Sequence, residues 1–223
     1  MTIGSWEMTK PRSNYHFRND YFDPDVDKII YLGKLKLEID EADIEKIIEG
    51  SRSATWRTRS AEGKTRPEEE LTAEDYDLEK FGYGRDYQIT HLNWTIPEKL
   101  KKVSDLFALD DCMERIHVQK PGEVWNLHLD KLEKWNPDNP VSVMRIQIAL
   151  TDWQPGQFWS YGNYLHSMWR VGDVTTFDWI NLPHSTANAG HHPRITLQLT
   201  GVITDLTNNF LNKLASVPEY DLL

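Results

Sequence analysis

The residues of this chain that could do chemistry are concentrated in its second half, where His128, Asp130 and His184 form a candidate metal site. His128 and Asp130 are two residues apart, and on an extended segment such side chains project to the same side, so both can bind one ion. His184 lies at the end of a candidate strand further along the chain. Two imidazoles and one carboxylate on one face of an octahedral ion leave three coordination positions open to other ligands.

A His-x-Asp pair alone is weak evidence, because such pairs also occur in surface turns. The pattern becomes more specific with Arg194, which follows His184 by ten residues and opens a strand of alternating apolar residues. A guanidinium at that point can bind a carboxylate through two parallel hydrogen bonds. The four residues together predict a metal site with an anion-binding group beside it.

Three predicted strands, over residues 113–119, 143–150 and 194–202, alternate apolar with polar side chains. Their polar faces include His117, Arg145, Gln147 and Arg194. One interpretation is a sheet with one face in water, which antiparallel sheets allow. The other is that the three polar faces point into one cleft between two sheets, where they would converge on a small anion. Alternation alone does not decide between the two interpretations.

A His-x-Asp pair, a distal His and an Arg ten residues later, all on short β-strands, resemble the motif of the Fe(II)/2-oxoglutarate-dependent dioxygenases. Within that superfamily the chain looks most similar to the aspartyl/asparaginyl β-hydroxylase and L-proline cis-hydroxylase branch. That branch also has a Pro-Gly turn before His-x-Asp, a Gly-Asp turn before the second His, and a Leu-Pro-His sequence. The resemblance covers residues 112–203, and its supporting segments are RIHVQKPGEVWNLHLD (115–130), RIQIAL (145–150), VGDVTTFDWINLPH (171–184) and RITLQL (194–199).

The resemblance implies a mainly β fold of the α+β type, in which N-terminal helices flank a double-stranded β-helix, the jelly-roll or cupin-like core. It implies that His128, Asp130 and His184 bind Fe(II) between the sheets. Arg194 would pair with the distal carboxylate of 2-oxoglutarate, the co-substrate.

Two further positions match co-substrate neighbours of the family but differ in residue type. His117 lies where the branch often has a Ser near the distal carboxylate, and Gln147 lies where it has a His near the carboxylate at the iron. Arg145 matches an Arg that faces the carboxylates of substrate or co-substrate. Trp125 and Trp153 are expected at the substrate mouth, since both flank the segments that carry these residues.

The activity implied by the resemblance is hydroxylation of an unactivated C–H bond with O₂, while 2-oxoglutarate is converted to succinate and CO₂. The expected substrate is a small carboxylate-bearing, amino-acid-like molecule or a peptide side chain. Asp130, in place of a small residue, favours hydroxylation over halogenation. The alternative is a metal-binding cupin-like protein, an isomerase or a ligand-binding module, that does not use 2-oxoglutarate and in which Arg194 is structural.

The elements that must position these residues follow from periodicity and turn signals. Helices are predicted from the Asp40 cap to Gly50, over Pro97–Leu109 with Thr95 as cap, and over Asp205–Ala215 with Asp205 as cap. Strands are predicted over residues 29–39, 112–119, 141–152, 157–161, 164–170, 173–178 and 194–203. Short strands at this spacing predict a sandwich or barrel.

We expect a single domain over residues 1–223. It would consist of an N-terminal arm (1–28), a support region (29–110), the catalytic β core (112–203) and a C-terminal helix and tail (204–223). The charged stretch over residues 51–80, with Gly63–Glu70 at its centre, is expected to be a solvated loop, with an active-site lid as the alternative.

The composition of the chain also bears on its binding partners and its cellular location. The net charge of −10 argues against nucleic acid, and no apolar run approaches the roughly 20 residues that a membrane span needs. A single cysteine and the lack of an apolar N-terminal segment predict a reducing, cytoplasmic setting. Nine Trp are many for 223 residues, and six of them fall within residues 125–179, which predicts an aromatic-walled pocket as well as a core.

Overall fold

The fold is seen in a computed structural model that describes residues 29–55, 88–162 and 164–222. The predicted arm over residues 1–28 and residues 56–80 of the predicted loop, with Gly63–Glu70, lie outside these residues. The start of the predicted loop, Arg52–Thr55, is a strand. Two sheets make up the described part of the chain. The large sheet has the order β12-β1-β9-β6-β11-β4-β3-β2 and the small sheet the order β5-β10-β7-β8. The strands are β1 (Ile30–Lys36), β2 (Arg52–Thr55), β3 (Gln88–Asn93), β4 (Asp110–Gln119), β5 (Val124–His128), β6 (Val143–Ala149), β7 (Gln157–Tyr161), β8 (Tyr164–His166), β9 (Asp173–Thr176), β10 (His184–Asn188), β11 (Arg194–Val202) and β12 (Tyr220–Asp221).

The strand order identifies the fold as a double-stranded β-helix. Strands β4, β6, β9 and β11 lie in the large sheet, whereas β5, β7, β8 and β10 lie in the small one. The chain therefore crosses between the sheets at almost every step, and the pairs β11·β4 and β11·β6 are antiparallel. This is the path of a jelly roll, so the predicted fold class is confirmed.

The two faces of the large sheet differ sharply in polarity. Its outer face carries the apolar members of the alternating strands, such as Ile116, Ile146 and Leu197, which are fully buried. Its inner face carries Arg, Gln, His and Thr side chains that are also almost fully buried, because the small sheet covers them. The second interpretation of the polar faces is therefore correct: they point into a cleft between two sheets.

Three helices pack on the outer face: α1 (Glu41–Glu49), α2 (Glu98–Phe107) and α3 (Asp205–Ser216). Asp40 caps α1 as predicted, through a reciprocal bond with Asp43. Phe107 of α2 meets Phe210 of α3 edge to face, with ring centroids 4.9 Å apart. The flanking layer therefore includes the C-terminal helix as well as the helices of the N-terminal half.

Two of the predicted helix caps are wrong by one or two residues. Pro97, not Thr95, precedes the first turn of α2, since the Thr95 amide donates to Asn93 Oδ1 in the turn before it. Thr204, not Asp205, caps α3, because the Thr204 backbone is extended and its hydroxyl accepts from the Thr207 amide.

Several strand predictions also need correction. The strand that opens at Tyr164 ends at His166 and not at residue 170, because Met168 has φ +65°, which breaks an extended chain. Strands β5 and β10, which carry the two candidate histidine ligands, are not among the predicted strands. Both are only five residues long, β10 (HSTAN) lacks an apolar alternation, and the register between them shifts by a bulge.

Gly172 fixes the turn that leads into β9. Its φ is +86°, and a Cβ atom there would lie 1.9 Å from the Leu35 carbonyl oxygen of β1. Its amide donates to Ala149 O and its carbonyl accepts from Leu35 N, both at 2.9 Å. Only glycine combines this backbone conformation with so close an approach. In the part of the chain described, no helix is long and apolar enough to cross a membrane.

Candidate metal centre

The ends of two paired strands bring the candidate ligands together. His128 is the last residue of β5, His184 is the first of β10, and the two are register partners in the small sheet. The bulge that follows His184 in this ladder lets Trp125 pair with Thr186, so that both Trp125 and His128 face the cleft. Asp130 lies two residues after His128, beyond the end of the strand.

The three side chains form one compact donor set. Their ligand atoms all lie within 4.8 Å of one another. Asp130 Oδ1 is 3.7 Å from His128 Nε2, and Asp130 Oδ2 is 3.8 Å from His184 Nε2. The two imidazole centroids are 4.3 Å apart. Two nitrogens and a carboxylate oxygen at such distances could reach one ion of the borderline kind that imidazole and carboxylate favour.

Contacts with neighbouring residues orient His184 and Asp130 so that both can bind an ion. His184 Nδ1 lies 3.3 Å from the Leu182 carbonyl, which can only accept, so Nδ1 carries the proton and Nε2 presents its lone pair to the cleft. Asp130 Oδ2 is buried, and no described residue gives it an aligned hydrogen bond. Arg145 Nη1 approaches the same oxygen to 2.5 Å as an ion contact. A buried carboxylate held in place by one arginine, with two imidazole nitrogens beside it, fits a metal ligand.

Burial and neighbouring charges keep Asp130 and His184 in the protonation states that bind metals. Burial would raise the pKa of Asp130, but Arg145, His184 and His128 together outweigh burial and hold that pKa well below its usual range. Burial lowers the pKa of His184, and the nearby Asp130 carboxylate only partly offsets this. At neutral pH the carboxylate is therefore ionised and the imidazole is neutral, which are the forms that bind metals.

A cavity lined by His128, His184 and Arg194 connects the two imidazoles with the guanidinium; it contains about 300 Å³ of empty space, part of it open to solvent, and we call it the metal cavity. Arg194, at the start of β11, is buried, and within the described chain no acceptor bonds its Nε or Nη1. Its guanidinium carbon lies 4.6 Å from the centroid of the Trp159 ring. Burial lowers the pKa of Arg194 to about 10, so the side chain remains charged at neutral pH. The cavity thus has a metal-binding end and a cationic wall.

Some of the other predicted site residues line the metal cavity, and others lie outside it. His117 and Trp125 line the metal cavity, with ring centroids 4.8 Å apart. Burial, and then the charges of Arg115, Arg194 and Arg145, lower the pKa of His117 well below its usual value, so it is neutral. Arg145 also lines the cavity, but its charge is directed at Asp130 and its Nε donates to Thr200.

Gln147 and Trp153 lie elsewhere. Gln147 is on the inner face of β6, where it lines a neighbouring cavity. Trp153 is among the described residues that line neither cavity, and its indole N–H donates to the Gln157 carbonyl in the turn before β7. The structure therefore does not bring these two residues to the metal-binding end.

Four residues near the donor set have no role predicted from the sequence: Arg115, Gln198 and Thr186 line the metal cavity, and Tyr161 packs beside His184. Arg115 Nε donates to Gln198 Oε1 at 2.7 Å, and both line the metal cavity. Tyr161 is fully buried, its ring lies 5.9 Å from that of His184, and its hydroxyl has no partner within the described residues. The available signal was the alternation itself, since Arg115 shares a face with His117, and Tyr161 shares one with Trp159.

Comparison with known proteins adds only distant likenesses. No protein-family model and no curated protein match the chain. Among solved structures it is similar to a protein described as a predicted oxalate decarboxylase from Thermotoga maritima, with 13% identity, a TM-score of 0.34, and coverage of 51% of this chain and 81% of that one. It is also similar to a double-stranded β-helix protein from Klebsiella pneumoniae (14%, 0.30, 42% and 69%) and to a cupin 2 conserved barrel protein from Salinispora arenicola (13%, 0.29, 46% and 71%). None of these three is named as a 2-oxoglutarate oxygenase, and the fold is identified by the strand order of the chain itself.

Proposed function

We propose that this chain is a non-haem Fe(II)- and 2-oxoglutarate-dependent dioxygenase that hydroxylates an unactivated C–H bond of a small, carboxylate-bearing substrate. The observation that carries the proposal is the metal cavity. It joins a two-histidine, one-carboxylate donor set to a buried arginine whose Nε and Nη1 lack acceptors in the described chain. A facial triad with open positions is the ligand pattern of Fe(II) oxygenases.

Within this proposal each residue has a definite task. His128, Asp130 and His184 hold the ion on one face and leave positions for 2-oxoglutarate and O₂. Bound Fe(II) would supply the oxygen-activating chemistry in which 2-oxoglutarate yields succinate and CO₂ and the substrate is hydroxylated. Arg194 binds the distal carboxylate of 2-oxoglutarate, where burial strengthens a charge-assisted hydrogen bond.

The cationic surroundings favour an anionic substrate. Arg115, Arg145 and Arg194 line the metal cavity, and of these three arginines Arg145 is paired with the Asp130 carboxylate. The substrate carboxylate is therefore expected near Arg115 and Arg145, and the ring of Trp125 closes the wall between them and His128. A free amino acid or small acid is the first substrate class to screen, and a peptide side chain is the second.

The experiment compares the purified chain with two variants under anaerobic Fe(II) loading. The wild type should show a metal-to-ligand absorbance band when 2-oxoglutarate is added and should form succinate when O₂ is admitted. Arg194→Met should raise the 2-oxoglutarate concentration needed by about 100-fold, because two charge-assisted hydrogen bonds are lost. Arg170→Met is the matched control, since Arg170 is an exposed arginine paired with Asp152. Absence of both the band and 2-oxoglutarate affinity in the wild type would refute the proposal.

One observation favours the alternative of a metal-binding cupin-like protein that does not use 2-oxoglutarate. The Arg194 guanidinium lies over the Trp159 ring, a contact that can be purely structural. Thermal unfolding with Mn(II), with and without N-oxalylglycine, separates the two functions. Stabilisation by the metal that N-oxalylglycine does not increase would favour the alternative.

A further inference from the structure

The wall of the metal cavity is rich in positive charge. The described residues that line it include Arg115, Arg145 and Arg194, and none of these lining residues is an Asp or a Glu. The Asp130 carboxylate pairs with Arg145. In the proposed function, a divalent ion and the two carboxylates of 2-oxoglutarate cancel each other in charge, so their binding leaves this balance unchanged. An ammonium group in the cavity would therefore meet like charges, which disfavour its binding.

The side-chain oxygens of the same wall are already engaged. Gln198 Oε1 accepts from Arg115 Nε at 2.7 Å, and Thr186 Oγ1 accepts from Gln119 Nε2 at 2.9 Å. Both oxygens are neutral, and the first lies against a guanidinium. Among the described lining residues there is therefore neither a carboxylate nor an unengaged side-chain oxygen to receive an ammonium group.

Two buried ring nitrogens beside this wall, Trp125 Nε1 and His117 Nε2, have no hydrogen-bond partner in the described chain. Trp125 is 7% exposed and His117 is 6% exposed, both line the metal cavity, and their ring centroids are 4.8 Å apart. The Arg115 guanidinium carbon lies 5.8 Å from the centroid of the Trp125 ring, so groups on adjacent carbons of one ligand can reach both residues. Buried polar atoms without partners are costly, so a ligand that bonds them gains free energy on binding.

The chemistry of these two nitrogens determines which group they can bond. The indole N–H of Trp125 is a donor only. His117 is neutral because its pKa is lowered, so its Nε2 offers either one hydrogen or one lone pair. A hydroxyl group both accepts and donates, so it can bond the indole with either form of His117 beside it. An ammonium group only donates and cannot bond the indole N–H at all.

We propose that the metal cavity selects a small 2-hydroxy acid over the amino acid with the same carbon skeleton. The hydroxyl accepts from the Trp125 N–H beside His117, and the carboxylate faces the arginines of the wall. Trp125 is thus a specificity-determining residue. That such an acid is the substrate rests on the proposed function, whereas its preferred binding to the chain does not.

The first experiment titrates the metal-free full chain with three four-carbon acids, followed by saturation-transfer NMR. The probes are butyrate, (S)-2-hydroxybutyrate and (S)-2-aminobutyrate, which differ only at the second carbon. The hydroxy acid should bind saturably and about fivefold more tightly than butyrate, for one additional hydrogen bond. It should bind about tenfold or more tightly than the amino acid, whose ammonium group meets the arginines.

Two tryptophan variants test the residue that carries the selection. Trp125→Phe keeps an aromatic ring but removes the N–H, so it should bind (S)-2-hydroxybutyrate no more tightly than butyrate. Trp153→Phe is the matched control, because Trp153 lines neither cavity among the described residues and its N–H already donates to the Gln157 carbonyl. This control should keep the preference of about fivefold for the hydroxy acid.

Three results would overturn the proposal. They are no saturable binding of (S)-2-hydroxybutyrate by the wild type, binding of (S)-2-aminobutyrate at least as tight as that of the hydroxy acid, and an unchanged preference for the hydroxyl in Trp125→Phe. If Trp125→Phe does not fold, as judged by its far-ultraviolet circular dichroism, His117→Phe takes its place. Its preference for the hydroxy acid should fall as well, because the second ring nitrogen is then missing.

The second experiment repeats the titration with wild type that has been loaded with Mn(II) and N-oxalylglycine. Faster proton relaxation of (S)-2-hydroxybutyrate than of (S)-2-aminobutyrate would place the hydroxy acid beside the paramagnetic ion and support it as the substrate class. Equal relaxation of the two probes would refute that role. If the chain binds neither Mn(II) nor N-oxalylglycine, the proposed function fails, whereas the selection of a hydroxy acid is still judged by the metal-free titration alone.

Discussion

Arg145 forms an ion pair with Asp130, the carboxylate of the candidate metal site. Its resemblance to a family arginine suggested contact with substrate or co-substrate carboxylates, but in the structure its Nη1 contacts Asp130 Oδ2. Both side chains are buried, and Arg145 Nε is held by Thr200. The arginine therefore fixes the carboxylate that the two histidines face. A second partner for Arg145, such as a substrate carboxylate, would have to share this guanidinium with Asp130.

The ion pair of Arg145 with Asp130 should stabilise the metal-free protein. Arg145→Met should lower the free energy of unfolding by about 3–5 kcal/mol, because it leaves the Asp130 carboxylate buried without its cation. The double variant Arg145→Met/Asp130→Asn should recover most of the loss, since the uncompensated charge is then gone. Urea unfolding at pH 7 measures both. A loss below about 1 kcal/mol in the single variant would show that the two histidines or solvent compensate Asp130 without Arg145.

At the scale of elements, the sequence was most informative where apolar periodicity was strong. Strands β4, β6 and β11 and the three helices follow from alternation or from helical spacing, although their ends shift by one or a few residues. Strands β5 and β10 could not be found in this way. They are short, their outward residues are not consistently apolar, and their register depends on a bulge. Pairing with neighbours, rather than local propensity, makes them strands.

Gly172 provides a test at the same scale. Gly172→Ala should destabilise the fold by about 3 kcal/mol or more, because the left-handed backbone strain adds to a clash with the Leu35 carbonyl. Gly122→Ala is the matched control, since Gly122 has φ +87° but no described atom within 4 Å of the added Cβ, so it should cost only about 1–2 kcal/mol. The comparison uses chemical denaturation of both variants. Equal losses would mean that the contact between Gly172 and β1 relaxes freely.

At the scale of the whole molecule, the outer face of the large sheet belongs to the hydrophobic core, and its inner face carries the polar residues of the candidate site. Its outer face buries apolar side chains under the helices, and its inner face buries polar side chains against the small sheet. Residue types and spacing along the chain predicted the three candidate ligands and Arg194, whereas the pairing of β5 with β10 brings His128 and His184 together. The division of the interior into two cavities, and the positions of Gln147 and Trp153 relative to them, depend on how the sheets face each other. No local pattern encodes that relation.

Binding of a metal ion should therefore stabilise the folded chain against unfolding. An ion that binds only the folded chain adds about 2.7 kcal/mol at a hundredfold excess over its Kd, which for a chain of this size raises Tm by about 5–10 °C. Mn(II) under anaerobic conditions should produce this shift, and a chelator should reverse it. Asp130→Asn should abolish most of it, because the site loses its only carboxylate among the described ligands. Asp152→Asn, a change at an exposed carboxylate paired with Arg170, should keep the shift. A shift of the same size in Asp130→Asn would place the bound ion away from His128 and His184.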